Sequence, residues 1–128
     1  MHKDHLIQTL IDIQDHLVPV LDTYEQAMYH YILRHTYFVG KESAIIQVKT
    51  SNIGLGKSKA GSLPSESQKS KKLRTLQEKG CVEILERSHR GTMVKLILPK
   101  DIPNLIPSQI EVEAIDIEEI VFMTGGNM

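Results

Sequence analysis

The chain has 128 residues, 41% hydrophobic and 24% charged, with a formal net charge of −1. That suits one packed domain with a short appended element and is too little for two domains. No apolar run approaches the ~18 residues of a membrane span, no secretory-type apolar stretch follows Met1, and the single cysteine, Cys81, excludes an internal disulfide, so a reducing, cytoplasmic location is expected.

Leu6, Leu10, Ile13 and Leu17 recur at helical spacing, and Ile7 and Ile11 widen the stripe. They predict an amphipathic helix over 3–17, ended by Pro19. Its stripe either packs on the domain that follows or forms a homodimer through Leu6, Leu10, Ile13 and Leu17. Residues 1–20 are therefore set apart as an N-terminal helix, ahead of a main domain over 21–100. Asp22 and Glu25 have the spacing of a capping box and open a second helix. Its inward face is expected to carry Tyr24, Ala27, Met28, Tyr31, Ile32 and His35, and Gly40 punctuates its end. Ala44-Ile45-Ile46-Gln47-Val48 predicts a short strand. Thr50 caps a brief helix containing Ile53 and Leu55, and residues 57–64 predict a loop.

Pro64 precedes Ser65, and Ser65-x-x-Gln68 is a capping box in its glutamine form. A helix is predicted over 65–79, with Leu73 and Leu76 inward and Gly80 as its stop. Val82 and Ile84, with Leu85 as an open third member, then form one strand, and Met93, Val94, Leu96, Ile97 and Leu98 form its partner, ended by Pro99. Arg87-Ser88-His89-Arg90-Gly91 makes the tip between them. Residues 101–128 form an acidic C-terminal extension, in which alternation around Ile110 and Val112 predicts a strand over 109–115 and a short helical turn follows over 116–122.

The net charge hides an asymmetry. From Lys57 to Lys95 there are ten Lys or Arg against four acids, a local balance of +6. From Asp101 onward there are six acids and no Lys or Arg. On the 65–79 helix, Ser67, Ser70, Lys71 and Arg74 fall on a face away from Leu73 and Leu76, flanked by Gln68 and Thr75. Arg and Lys suit guanine or phosphate, Gln suits adenine, and Ser suits either. Lys72 and Lys79 sit at the flanks, while Lys69 falls near the inner side, where a long cation has to snorkel outward. At the tip, Arg87, His89 and Arg90 are placed for phosphates or a minor groove. Lys57 and Lys59 precede the helix and are placed to clamp a backbone. The bland alternative is an ordinary solvated surface and an ordinary polar turn.

Other chemistry is not expected. Gly54-Leu-Gly56-Lys57-Ser58 lacks the leading glycine of a phosphate-binding loop, since position 51 is Ser. His30 and His35 are five apart, which does not align them on a helix face for a metal. Cys81 follows a glycine at a core junction and is expected to be buried. No pair of carboxylates is placed for acid–base work. Neither catalytic residue, metal nor cofactor is therefore expected.

The pattern Leu73, Leu76, Gly80, Val82, set in a helix–strand–short helix–helix–hairpin order over 22–98, resembles the winged helix-turn-helix superfamily of bacterial regulators and replication initiators. More narrowly, Tyr24-Glu-Gln-Ala-Met-Tyr-His-Tyr, Arg34-His-Thr-Tyr, Ser70-Lys-Lys-Leu-Arg, Lys79-Gly-Cys and Leu98-Pro-Lys-Asp-Ile-Pro are similar to the helix-turn-helix segment that precedes the nuclease part of some bacterial HNH-endonuclease-type proteins. The resemblance implies an α+β winged helix: a three-helix core and a β-hairpin wing, here with an extra N-terminal amphipathic helix and a short acidic C-terminal extension. It implies binding of double-stranded DNA, with the 65–79 helix in the major groove and the 87–91 tip on the backbone, as in a transcriptional regulator or DNA-targeting module. Two departures stand out. The 57–64 loop is longer than the tight turn of a plain helix-turn-helix, and no HNH core is visible, since neither His nor Cys follows His89. The alternatives are a protein–protein interaction module, or the targeting segment of a nuclease whose catalytic part lies elsewhere.

Overall fold

A computed structural model of the chain describes residues 3–47 and 65–107. They form an α+β unit of three α-helices and a three-stranded antiparallel sheet. The expected helix near Ile53, the 57–64 loop, the 109–115 strand and the 116–122 turn lie outside the described residues. Among the described residues no helix is long and apolar enough to cross a membrane.

Helix α1 (Lys3–Asp12) continues into a π-helical turn, Ile13–Leu17, and a 3₁₀ turn, Val18–Val20, that contains Pro19. The wider π winding offsets the angular drift of a strict four-residue spacing, so Ile13 and Leu17 both stay on the core side. Thr9 joins them there, and the helix rests against a 3₁₀ turn, Pro99–Asp101. Packing within the chain is thus the fate of this helix's buried side. The homodimer expected through Leu6, Leu10, Ile13 and Leu17 cannot use that set as a whole: Ile13 and Leu17 are 2% and 1% exposed inside their own core.

Helix α2 (Thr23–His35) opens with the expected box. Asp22 Oδ1 accepts the Glu25 N–H at 2.8 Å, and Glu25 Oε1 accepts the Asp22 N–H at 2.8 Å. Its buried side differs from the expected one. Glu25, Met28, Tyr29, Ile32 and Leu33 face inward, while Tyr24, Ala27 and Tyr31 are half-buried and His35 is exposed. The Tyr29 hydroxyl donates to the Ile97 carbonyl at 2.8 Å, which satisfies a deeply buried phenol and ties α2 to the chain beyond the sheet.

Strands β1 (Ser43–Ile46), β2 (Val82–Ser88) and β3 (Gly91–Leu96) lie in the order β1-β3-β2. Thr92, Val94 and Leu96 alternate toward the helices with Ile46 and Val82, and Met93 and Lys95 point to the other face. A bulge at Leu85 breaks the β2 register between Ile84 and Glu86 and leaves Leu85 exposed. The hairpin is longer than expected. Pairing runs to Ser88↔Gly91, so the turn is only His89-Arg90 and Arg87 belongs to the strand. Strand β1 flanks the hairpin almost to its end, because Gly91 (φ +128°) has no side chain there. An added Cβ would lie 2.7 Å from Ile45 Cγ2 and 2.9 Å from the Ile46 carbonyl oxygen.

Helix α3 (Glu66–Glu78) joins β2 through Gly80, whose φ of +82° closes a two-bond cap. Gly80 N–H donates to the Gln77 carbonyl at 3.0 Å and Cys81 N–H to that of Leu76 at 2.8 Å. Leu73, Leu76, Cys81 and Val82 complete the core between the helices and one face of the sheet. The core also runs past the expected boundary at 100, since Ile102 and Ile106 are each 5% exposed.

Candidate nucleic-acid interface

The orientation of α3 follows from local chemistry at its start and long-range chemistry along its side. Ser65 Oγ accepts the Gln68 N–H at 3.1 Å, and Gln68 Oε1 accepts the Ser65 N–H at 2.9 Å, so two of the helix's orphan donors are answered. Leu73 and Leu76 point into the core. Two lysines then dock the helix on the start of α2. Lys72 Nζ pairs with Asp22 Oδ2. Lys79 Nζ donates to Glu25 Oε1 at 2.7 Å and to the Val20 carbonyl at 2.9 Å.

Those pairs alter the acids. Burial raises the Asp22 carboxyl, but the Lys72 ammonium and the Glu25 N–H outweigh it and hold it below the ordinary value. Burial likewise pushes Glu25 up, and the Lys79 ammonium, the Asp22 N–H and the Thr75 hydroxyl bring it below its ordinary value. Both remain carboxylates at neutral pH, which keeps the lysines engaged. Beneath them Cys81 is buried; burial first, and then the Glu25 charge, pushes its thiol up to about 11, so it is a packing group at neutral pH.

What remains outward on α3 is a line of Ser67, Lys71 and Arg74, spaced by four and three residues and all exposed, with Ser70 half-buried beside it. Gln68 is exposed with its carbonyl oxygen committed to the cap. Thr75 departs from its expected flanking place. It is half-buried, donates to the Lys72 carbonyl at 2.9 Å and lies against Glu25 in the seam between helices. Lys69 does not snorkel; it is 3% exposed. Gln77 turns back to the sheet and accepts the Ile84 N–H at 2.7 Å, pinning α3 to β2.

On the hairpin, Arg87, His89 and Arg90 are all exposed. Arg90 also borders a shallow groove with Tyr31 and His35 of α2, Ile45 of β1 and Gln47 just after it. Gln47 Nε2 donates to the Arg90 carbonyl at 3.3 Å, which steadies the turn. The Tyr31 and His35 rings sit 4.6 Å apart in a tilted contact. Sequence reasoning missed this grouping, because its members come from three separate segments and have no common spacing. Lys57 and Lys59 lie outside the described residues.

Chemically, the arrangement offers exposed guanidinium, ammonium and hydroxyl donors on one helix and one hairpin. Among the described residues no three His, Cys, Asp or Glu side chains gather as a metal site would require. No family model, curated protein or solved structure matches the chain.

Proposed function

We propose that this protein is a winged helix module that binds duplex DNA, with α3 in the major groove and the β2–β3 turn against the phosphate backbone. The observation that carries this reading is a division of labour on α3. Its inward leucines and two of its lysines are spent on docking, while Ser67, Lys71 and Arg74 are left together on the solvent side. The connectivity supports it: α2, β1, α3, β2 and β3, with the sheet ordered β1-β3-β2, is compatible with a winged-helix-like layout. Arg74 is the residue assigned to a base edge, Lys71 to phosphate or guanine, and Arg87, His89 and Arg90 to the backbone. A bacterial regulator or DNA-targeting module is the role that fits.

Gel shifts on random duplexes at low salt test the reading. Arg74→Ala is expected to lower affinity by about 1–3 kcal/mol, and Lys71→Ala to weaken binding evenly across sequences. Wild-type affinity in both variants removes α3 from the interface, and no binding by the wild type at low salt removes DNA altogether. A protein-interaction module is the second reading, favoured by apolar side chains exposed on α1.

A further inference from the structure

Helix α1 has two apolar sides. Thr9, Ile13 and Leu17 are buried in the core, while Ile7, Leu10 and Ile11 on the other side are 48%, 40% and 46% exposed. Three such side chains at spacings of three and four residues make a continuous patch rather than scattered surface methyls. The patch has a cation at one end and an acid at the other, Lys3 and Asp15, both exposed. Lys3, Ile7, Ile11 and Asp15 are evenly spaced by four residues, and the wide π turn over Ile13–Leu17 slows the drift of that row, so Asp15 stays near the line of Ile11.

An even row of this composition is complementary to itself when reversed. A twofold axis that sets Ile7 against Ile11 of a second copy also sets Lys3 against Asp15 of that copy, twice per pair. A parallel arrangement would instead oppose like charges at both ends. Rows four residues apart are also the ridges by which two helices most often interlock. We propose that α1 is a homodimerisation helix: two copies pack antiparallel through Ile7, Leu10 and Ile11, clamped at each end by a Lys3–Asp15 ion pair. This surface differs from the Leu6, Leu10, Ile13, Leu17 set, two of whose members the core already uses. It stands whether or not the protein binds DNA.

Sedimentation equilibrium of the full chain up to about 100 μM tests it, a range that reveals micromolar association. The wild type is expected to dimerise in a concentration-dependent way. Ile7→Glu combined with Ile11→Glu should raise the dissociation constant by about tenfold or more, by burying charge against the apolar patch. Lys3→Glu and Asp15→Lys should each raise it roughly threefold, and the two together should restore it to within about twofold of wild type, because the swap rebuilds both ion pairs. All four positions are exposed, and thermal melts of each variant report that the core is intact. A monomeric wild type at the highest concentration overturns the proposal. So does a dimer indifferent to Ile7→Glu and Ile11→Glu, or a charge swap that fails to restore association.

Discussion

Glu25 takes a charge into the interior, at 2% exposure, and two donors answer it, the Asp22 N–H and the Lys79 ammonium, with the Thr75 side chain alongside. A buried carboxylate is tolerated only with such company. Removing it acts twice, since the α2 cap loses its reciprocal bond and Lys79 loses its partner. Glu25→Ala is expected to cost about 2–4 kcal/mol in urea unfolding, from the cap and the broken pair together. Glu25→Gln should cost roughly half as much, because an amide oxygen still accepts the Asp22 N–H while the ion pair is gone. Equal losses in the two variants would show that the cap adds nothing beyond the ion pair, and a Glu25→Gln variant as stable as the wild type would show that the charge contributes nothing.

At the scale of elements, α3 is held to α2 by two carboxylates whose folded-state values lie below the ordinary 3.8 of Asp22 and 4.5 of Glu25. The sign of the pH dependence follows. A depressed carboxyl contributes stability above its unfolded value and loses it as the pH falls through its folded value. Urea midpoints should therefore be flat from neutral pH to about 5 and drop below about 4, and the drop should be shallower in Glu25→Gln. A midpoint that rises on acidification would contradict the pairing. The caps at Asp22 and Ser65 and the stop at Gly80 were legible in the sequence because each is a local bargain over three to five residues. The inward face of α2 was not. It is turned to bury Glu25, Tyr29 and Leu33 in place of Tyr24 and His35, and the partners that meet that face, Lys79 on Glu25 and the Ile97 carbonyl on Tyr29, lie 54 and 68 residues away. The same holds for the hairpin: alternation marked its strands, but its extension to Ser88↔Gly91 depends on β1 closing over a glycine. In the candidate site, Lys71, Arg74 and Ser67 were readable from helical spacing alone, whereas the withdrawal of Thr75 into the seam depends on contacts made across the fold.

At the scale of the whole molecule, what counts is which cations are left for an external partner. The segment from Lys57 to Lys95 carries a surplus of +6, yet Lys72 and Lys79 are held by Asp22 and Glu25. The exposed cations of the proposed interface are then Lys71, Arg74, Arg87 and Arg90 among the described residues. Each phosphate contact steepens the dependence of log affinity on log salt by about 0.9. The three cations assigned to phosphate, Lys71, Arg87 and Arg90, give a slope of about −2.7, so affinity should fall by roughly fortyfold between about 50 and 200 mM salt. The internal pairs make the expectation sharper. Lys71→Ala should reduce the slope by about one contact, whereas Lys72→Ala should lower stability and leave the slope unchanged, because that ammonium is committed to Asp22. A slope that drops with Lys72→Ala and ignores Lys71→Ala would place the docking lysines on the DNA and turn α3 the other way round.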